Sequence, residues 1–372
     1  MNTAQRLQGM RPSPVRMLSE GAPADAISLG LGEPTWRMPK EAEEALREFS
    51  GVCGYGHNQG LPELRKALGD YYGTDAEHVL VTAGSQGALY ALLNAWIGPG
   101  DKVLMPDPGF VAYPGITQLT GGTEVRYKLN PLDRFRLDST AILPLLEDPL
   151  VKAVIINHPG NPTGAGCAEA EIRAVAAACE KRGVLLISDE VYRELYYGQR
   201  PVSLRDVSSY GVVTSSLSKA WGSPGLRVGW AIGDSSWIQP ARTMHSFMVT
   251  GASVPAQRAA IKLLASSPKI HAEARAELLP RWEALQKAFK EFAGMHVEMP
   301  DGAFYHWIEL PKSGHADPLA FCLKLRDEAK VITVPGFLFG EGGRKHVRLS
   351  FAASAEQVRE GIKRLAPYWQ EK

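Results

Sequence analysis

Short apolar runs alternate with segments of helical periodicity along most of this chain, and this alternation restricts the fold more than any other feature of the sequence. The apolar runs, which we interpret as strands, cover residues 78–81, 102–105, 151–157, 184–188, 211–215 and 228–232. Amphipathic helical segments lie between them at 61–72, 86–97 and 169–182. Several strands are apolar at consecutive positions, as strands covered on both faces are. The order predicts βα units, a mainly parallel sheet and an α/β fold.

The pattern changes after about residue 260. A long helical segment covers 271–292, and strand-like pieces follow at 303–309 and 346–351. A terminal helix is predicted to begin near Ser354, because Ser354 and Gln357 have the spacing of a capping box. This part of the chain therefore predicts a smaller α+β domain.

The composition of the chain indicates which kinds of partner and which cellular compartment to expect. Lys and Arg total 41 against 40 Asp and Glu, so the chain has no basic footprint for nucleic acid or an acidic membrane. Residues 1–10 lack the apolar core of a signal peptide, and no stretch approaches the ~20 apolar residues of a membrane span. The 4 cysteines and 9 histidines show no metal-ligand spacing. We expect a cytoplasmic globular protein with reduced thiols and no metal, nucleic-acid or membrane partner.

One lysine lies in a run of small residues. The run from Ser216 to Gly229 reads Ser-Leu-Ser-Lys-Ala-Trp-Gly-Ser-Pro-Gly-Leu-Arg-Val-Gly and places Lys219 just beyond a predicted strand. A lysine amine whose pKa is lowered by desolvation or by cationic neighbours forms Schiff bases with carbonyl cofactors. Arg227 carries a planar guanidinium suited to an anion such as phosphate. The run alone is equally compatible with a surface loop, so the rest of the chain decides between the two interpretations.

Polar and small residues follow three of the predicted strands. Asp189 directly follows one strand, residues 157–161 follow another, and Gly84, Ser85 and Gln86 lie between a third strand and its helix. In open α/β sheets, ligands bind beyond the carboxyl ends of the strands, so we expect these loops to build one site. The start of a helix favours phosphate through its N–H groups and dipole, although a serine-capped turn is the alternative for this segment.

Further motifs accompany these loops along the chain. They are Gly32-Glu33-Pro34, Tyr55, Thr82-Ala83-Gly84-Ser85-Gln86, Pro108-Gly109-Phe110, Asn161-Pro162-Thr163-Gly164, Asp189-Glu190-Val191-Tyr192 and Arg348-Leu349-Ser350-Phe351. With the lysine run, they resemble the class I and II aminotransferases, which use pyridoxal 5′-phosphate on the fold called type I. Ser223 departs from the aliphatic residue of the family pattern. The resemblance implies a large domain, 40–270, with a mainly parallel seven-stranded sheet sandwiched by helices. It also implies a smaller, discontinuous α+β domain formed by 1–39 and 271–372.

The resemblance implies roles for the residues of the cofactor site. Lys219 would hold pyridoxal 5′-phosphate as an internal aldimine and then move the substrate α-proton as general base and acid. Asp189 would pair with the pyridine nitrogen, since a carboxylate at a buried strand end is costly unless paired. Tyr192 and Asn161 would donate to the ring hydroxyl oxygen, and Phe110 would stack on the ring. The implied phosphate ligands are Gly84, Ser85, Gln86, Ser216 and Arg227.

Other implied roles concern the substrate and a second subunit. Arg348 would bind the substrate α-carboxylate through its bidentate fork, near Gly32 and Asn161. Tyr55 would reach the phosphate from a neighbouring subunit, which requires a homodimer with shared active sites. Each residue also has a structural alternative. Arg348 is also compatible with an exposed strand face, Phe110 and Tyr55 with ordinary packing, and the Asn161 motif with a plain turn.

We therefore expect a pyridoxal-phosphate-dependent aminotransferase that moves the α-amino group of an amino acid to a 2-oxo acid with ping-pong kinetics. A β-lyase or a cyclising synthase stays open, because similar site residues serve these reactions on one fold. A non-catalytic ligand-sensing domain is a third alternative, although the sequence lacks a basic helix-turn-helix extension. Residues 246–255, where some dicarboxylate-specific relatives carry arginine, contain none, which favours a neutral or aromatic amino acid over aspartate. Possible readers of its side chain are Trp36, Arg37, His57 and Asn58.

Overall fold

The computed structural model describes residues 4–10, 14–50 and 52–370, which form three β-sheets and the helices around them. The strands are β1 (Ile27–Ser28), β2 (Val79–Thr82), β3 (Lys102–Asp107), β4 (Thr123–Lys128), β5 (Val151–Asn157), β6 (Leu185–Asp189), β7 (Val212–Ser216), β8 (Gly229–Gly233), β9 (Tyr305–Glu309), β10 (Val331–Ile332), β11 (Val334–Pro335) and β12 (His346–Ser350). The helices are α1 (Pro14–Ser19), α2 (Lys40–Glu48), α3 (Pro62–Tyr72), α4 (Gly84–Trp96), α5 (Ala112–Thr120), α6 (Glu169–Arg182), α7 (Leu204–Val207), α8 (Ser235–Val249), α9 (Val254–Ala265), α10 (Ser267–Ala288), α11 (Pro318–Asp327) and α12 (Ala355–Gln370). Within the described ranges, no helix is both long and apolar enough to cross a membrane.

The largest sheet has seven strands in the order β2-β8-β7-β6-β5-β3-β4. Strand β8 runs antiparallel to its neighbours β2 and β7, and the other neighbouring strands run parallel. Alternate residues of one strand enter different apolar cores: Val154 and Ile156 belong to one core, and Ala153 and Ile155 to the other. Helices therefore cover the sheet on both faces. The predicted α/β class and the mainly parallel, seven-stranded sheet are confirmed.

The predicted strands of this sheet match the observed ones within a residue or two at each end, but β4 is missing from the prediction. Its sequence, Thr-Glu-Val-Arg-Tyr-Lys, is mostly polar, and Tyr127 is its one buried residue. The sheet order puts β4 at an edge beside β3, where a strand does not have to be apolar on both faces. A search for apolar runs therefore could not find it.

The later part of the chain forms a separate antiparallel sheet in the order β11-β12-β9, in which Arg348 pairs with Trp307. The short strand β1 pairs in parallel with β10, which joins the N-terminal segment to this part of the structure. Helix α12 begins with the predicted capping box. The Ser354 N–H donates to Gln357 Oε1 at 3.3 Å, and the Gln357 N–H donates to Ser354 Oγ at 3.2 Å.

Candidate active site

A cavity of about 620 Å³ lies beyond the carboxyl ends of β5, β6 and β7, at the start of α4. It is lined by Gly32, Glu33, Ser85, Gln86, Phe110, Val111, Asn157, Asn161, Asp189, Val191, Tyr192, Ser216, Ser218, Lys219, Pro224, Gly225, Arg227, Tyr305 and Arg348. The loops that follow separate parallel strands meet at one edge of the sheet, as the sequence predicted. The predicted site residues that do not line this cavity are Gly84 and Tyr55.

Lys219 lies in the turn after β7 and points into the cavity. Its side chain is half-buried, and the ammonium group donates to the Gly32 carbonyl oxygen at 2.5 Å. Nζ also lies 5.6 Å from the ring centroid of Tyr192 and 5.7 Å from that of Phe304. Burial, assisted by the positive charge of Arg348, lowers the pKa of Lys219 to about 8. The neutral, nucleophilic form of this amine is therefore far more populated near neutral pH than in an ordinary lysine, although the ammonium form still predominates.

Asp189 is the last residue of β6 and is buried at the inner end of the cavity. Its Oδ2 accepts a hydrogen bond from the Tyr113 hydroxyl at 2.7 Å. Burial raises the pKa of Asp189 to about 6, and the hydrogen bond from Tyr113 opposes that shift. In the described part of the chain, no lysine, arginine or histidine forms an ion pair with this carboxylate. A cationic ligand atom in the cavity would supply the missing partner.

The start of α4 lies at one end of the cavity. The first N–H groups of a helix have no partner within it, and Gly84, Ser85 and Gln86 occupy those positions. Gly84 has φ +77°, which favours glycine, and a Cβ built on it would lie 2.5 Å from Nη2 of Arg227, so a larger residue here would displace the guanidinium. The helix cap is Ala83, which makes no side-chain cap bond, so the serine-cap alternative is wrong. Ser216 completes this end from β7.

Arg348 lies on β12 and is 3% exposed, so the solvent-face alternative for this residue is wrong. Nη1 donates to Asn161 Oδ1 at 2.8 Å, and Nη2 donates to the Gly30 carbonyl oxygen at 2.6 Å. Nε is buried and has no partner in the described structure. The Asn161 N–H in turn donates to Asn157 Oδ1 at 2.8 Å, which holds the Asn161 loop at the end of β5. The arrangement presents a buried cation to the cavity.

Sequence reasoning assigned no role to three side chains that position the site, although it placed Asn157 in one of the site loops. Tyr305 contacts Tyr192, with the two hydroxyl oxygens 2.6 Å apart. Tyr113 binds Asp189, and its ring lies edge-on to Phe110 with centroids 5.5 Å apart. Asn157 Oδ1 accepts a hydrogen bond from the Asn161 N–H, and Asn157 Nδ2 donates to the Asp189 carbonyl oxygen. Asn157 follows an apolar run, which is a usable signal, but nothing local to the two tyrosines distinguishes them from core residues.

Tyr55 and the possible side-chain readers lie away from the cavity of the single chain. Tyr55 is 94% exposed. Arg37 makes a surface ion pair with Glu43, its Nε donating at 2.8 Å. Asn58 accepts from Arg242 at 2.8 Å. None of Trp36, Arg37, His57 and Asn58 lines the cavity of the single chain.

Comparison with known proteins gives a consistent assignment. The sequence matches the family described as aminotransferase class I and II over residues 24–365. It is 30% identical to the aspartate aminotransferase of Pyrococcus horikoshii over 97% of this chain and 96% of that protein. It is also 30% identical to the transaminase BacF of Bacillus subtilis over 92% of this chain and 88% of that protein. The structure matches that of Thermus thermophilus aspartate aminotransferase with maleate, at TM-score 0.91 and 29% identity, covering 99% of this chain and 100% of that chain.

The fold and the cavity define an α/β enzyme with a desolvated lysine, a buried aspartate and an anion-binding helix start in one site. The family match spans most of the chain, and the relatives align over nearly their whole length. The chain belongs to the class I and II aminotransferases, and it is a transferase of amino groups between an amino acid and a 2-oxo acid. The relatives named above are aminotransferases, so the lyase, synthase and ligand-sensing alternatives are set aside.

Proposed function

We propose that this chain works with pyridoxal 5′-phosphate bound in the cavity at the carboxyl ends of β5, β6 and β7. The observation that supports the proposal most is the buried Asp189 carboxylate, which has no ion-pair partner among the described residues and whose pKa is raised to about 6. A protonated pyridine nitrogen is the cation that such a carboxylate lacks. Gly84 leaves room for Arg227 beside the start of α4, which suits a phosphate. The cavity therefore offers suitable groups for both the pyridine nitrogen and the phosphate of this cofactor.

The residues that would hold the cofactor divide by the chemistry they offer. Asp189 would hold the pyridine nitrogen, and Tyr192 and Asn161 would face the ring hydroxyl oxygen. Phe110 would cover the ring. The phosphate would lie against Gly84, Ser85, Gln86, Ser216 and Arg227, with Tyr55 added from the second subunit. Bound pyridoxal 5′-phosphate supplies an aldehyde carbon and a ring that accepts electrons.

The protein's own groups would then bind the substrate and move its proton. Arg348 would bind the α-carboxylate in a bidentate manner beside Gly32 and Asn161, and its buried Nε, which has no partner in the described part of the chain, is a further donor. Lys219, whose pKa is about 8, would take the α-proton as a general base and return it as a general acid. The Gly32 carbonyl oxygen, 2.5 Å from Nζ, would direct the amine between these positions.

We further propose that the amino donor has a neutral or aromatic side chain, although several relatives are named for aspartate. The cations that line the cavity in the described chain are Lys219, Arg227 and Arg348, and each has a task above. The remaining charged residue on the substrate side is Glu33, a carboxylate. A side-chain carboxylate there would face a like charge.

An amino-donor panel tests this proposal. Without an acceptor, the holoenzyme is expected to release one equivalent of 2-oxo acid per site and no ammonia, because the amino group stays on the enzyme. We expect kcat/KM for phenylalanine to exceed that for aspartate by about tenfold or more, the cost of an unpaired carboxylate near Glu33. Glu33→Gln is the matched variant, and it should reduce the difference in kcat/KM between phenylalanine and aspartate. Ammonia release would indicate a lyase, and a preference for aspartate would contradict the proposed donor class.

The assembly proposed here is a cytoplasmic homodimer of two-domain subunits. The large domain would comprise 40–270, which includes every strand of the seven-stranded sheet, and the small one 1–39 and 271–372. Pairing of β1 with β10 supports the discontinuous small domain, although α10 (Ser267–Ala288) crosses the proposed boundary. The 94% exposure of Tyr55 leaves it free to reach the phosphate of a partner chain.

Subunit complementation tests the shared site. Tyr55→Ala alone is expected to lower activity by about tenfold, the cost of a hydrogen bond to a charged group. Unfolding and refolding Tyr55→Ala with Lys219→Ala in equal amounts should give mixed dimers in which one site has both residues. Random pairing would then restore about one quarter of the wild-type activity.

The control mixture pairs Lys219→Ala with the Tyr55→Ala/Lys219→Ala double variant, and it should stay inactive. If Tyr55 served its own chain, no mixed dimer would contain an intact site. Absence of any recovery above the Tyr55→Ala level would therefore rule out sharing. A fully active monomer in dilute solution would rule it out as well.

A further inference from the structure

A buried pair of tyrosine hydroxyls lies at the wall of the cavity. The Oη atoms of Tyr192 and Tyr305 are 2.6 Å apart, and both side chains are buried. Tyr305 begins β9, whereas Tyr192 lies in the turn after β6, so the contact joins the small antiparallel sheet to the large sheet. A Cβ on Gly32 would collide with the Tyr305 hydroxyl, which is therefore tightly enclosed. Within the described residues, Tyr192 is the one hydrogen-bond partner of that hydroxyl.

The direction of this hydrogen bond determines what Tyr192 offers to the cavity. Each hydroxyl has one proton to donate and two lone pairs to accept with. If Tyr305 donates, Tyr192 keeps its own proton for a ligand. If Tyr192 donates instead, it faces the ligand only as an acceptor.

The charges around the pair favour donation by Tyr305. The Arg348 guanidinium lies 4.4 Å from the ring centroid of Tyr305. Burial raises the pKa of Tyr305, and the Arg348 charge opposes that rise. Burial and the neighbouring Tyr305 raise the pKa of Tyr192 well above its ordinary value; the Arg348 charge opposes this shift as well, whereas the Asp189 carboxylate adds to it. The phenol with the lower pKa is the better donor, and that phenol is Tyr305.

The other charged groups of the cavity do not reverse this order. Lys219 Nζ lies 5.6 Å from the ring centroid of Tyr192, and it donates to Gly32 rather than to either hydroxyl. Glu33 and Arg227 also line the cavity, but neither hydrogen-bonds to the tyrosine pair. The two phenols therefore differ in that the Arg348 guanidinium lies against the ring of Tyr305, whereas the Asp189 carboxylate raises the pKa of Tyr192.

We propose that Tyr305 is a positioning residue that fixes the direction of the Tyr192 hydroxyl: Tyr305 donates to Tyr192 Oη, and the Tyr192 proton is thereby directed into the cavity. The inference rests on the proposed function, in which Tyr192 donates to the ring oxygen of pyridoxal 5′-phosphate. A donor that itself accepts a hydrogen bond is polarised and donates more strongly. Loss of the Tyr305 hydroxyl therefore weakens and misdirects the bond from Tyr192.

A pH titration of the visible absorbance of the holoenzyme measures this bond. A donor to the ring oxygen stabilises that oxygen as an anion and keeps the midpoint of the absorbance change low. Tyr305→Phe keeps the ring beside Arg348 and removes the hydroxyl. It is expected to raise the midpoint by about 0.5 to 1 pH unit, the equivalent of one modest hydrogen bond. In a Tyr192→Phe background, which has lost the bond already, Tyr305→Phe should add no further shift.

Tyr127→Phe is the matched control, because Tyr127 is also buried and its hydroxyl donates to the Ile155 carbonyl oxygen at 2.9 Å outside the cavity. This variant should lose stability without moving the midpoint. Tyr305→Leu, which also lacks the hydroxyl, replaces Tyr305→Phe if the latter does not fold. An unmoved midpoint in Tyr305→Phe, or an equal shift in the Tyr192→Phe background, would overturn the proposal. Failure of the wild-type chain to bind pyridoxal 5′-phosphate would refute the proposed function instead.

Discussion

Lys219→Ala is expected to abolish transamination, lowering kcat by about 10⁴-fold or more, because one amine serves as both nucleophile and proton carrier. The pKa of about 8 and the enclosed position of Nζ make Lys219 the amine suited to both tasks. The variant should also lose its covalent link to the cofactor. Sodium borohydride should attach the cofactor to the wild-type chain and leave the variant unlabelled, as measured by mass spectrometry of the intact protein.

Lys102→Ala provides the matched control for this prediction. Lys102 is also half-buried, but it pairs with Asp148 at 2.7 Å and lies outside the cavity. Its loss should leave both labelling and turnover near the wild-type level. Borohydride labelling of Lys219→Ala within the same cavity would show that another lysine carries the cofactor.

Asp189→Ala and Asp189→Asn are expected to lower kcat by about 10²-fold or more, by analogy with the loss of other electrostatic stabilisers. The carboxylate would keep a proton on the cofactor ring, which accepts charge as the α-proton leaves. Folding should change far less, because this buried carboxylate gains little from ionisation, as its pKa of about 6 indicates. In Asp189→Ala the buried Tyr113 hydroxyl loses its partner, at a cost of about 1 to 3 kcal/mol, whereas the asparagine oxygen of Asp189→Asn can still accept from it. Half-reaction kinetics and thermal unfolding measure the two effects separately.

Glu190→Gln separates the role of Asp189 from the general effect of removing a buried carboxylate. Glu190 is adjacent and buried, and its Oε1 accepts from Ser188 Oγ at 2.9 Å and from the Leu204 N–H at 2.8 Å. Glutamine keeps that acceptor oxygen, so turnover should stay near normal. Near-normal turnover in Asp189→Asn as well would remove Asp189 from the mechanism.

Much of the site was predictable because its residues lie in loops at the ends of recognisable strands. Asp189 follows an apolar run, and Lys219 follows another among small residues, so both signals are local to the sequence. The structure brings these two together with Asn161, Arg227 and Arg348 in one cavity. The roles of these residues toward a cofactor stay predictions until the variants above are measured.

The sequence around other site residues gave no local indication of their place in the cavity. Arg348 alternates with apolar residues on a strand, a pattern shared by exposed arginines, and its burial depends on packing against Asn161 and the Gly30 carbonyl oxygen. Tyr113 and Tyr305 read as core residues in the sequence. Their hydroxyls acquire a function only because Asp189 and Tyr192 lie opposite them.

The sequence by itself determined the α/β class, the order of most strands and helices, and the loops that carry the chemistry. These properties depend on the spacing of apolar residues and on short motifs, which are local in the chain. The tertiary structure alone decided the antiparallel placement of β8, the polar edge strand β4 and the contact between Tyr192 and Tyr305. These depend on how segments far apart in the chain pair and pack, and the free energy of such contacts belongs to no single segment.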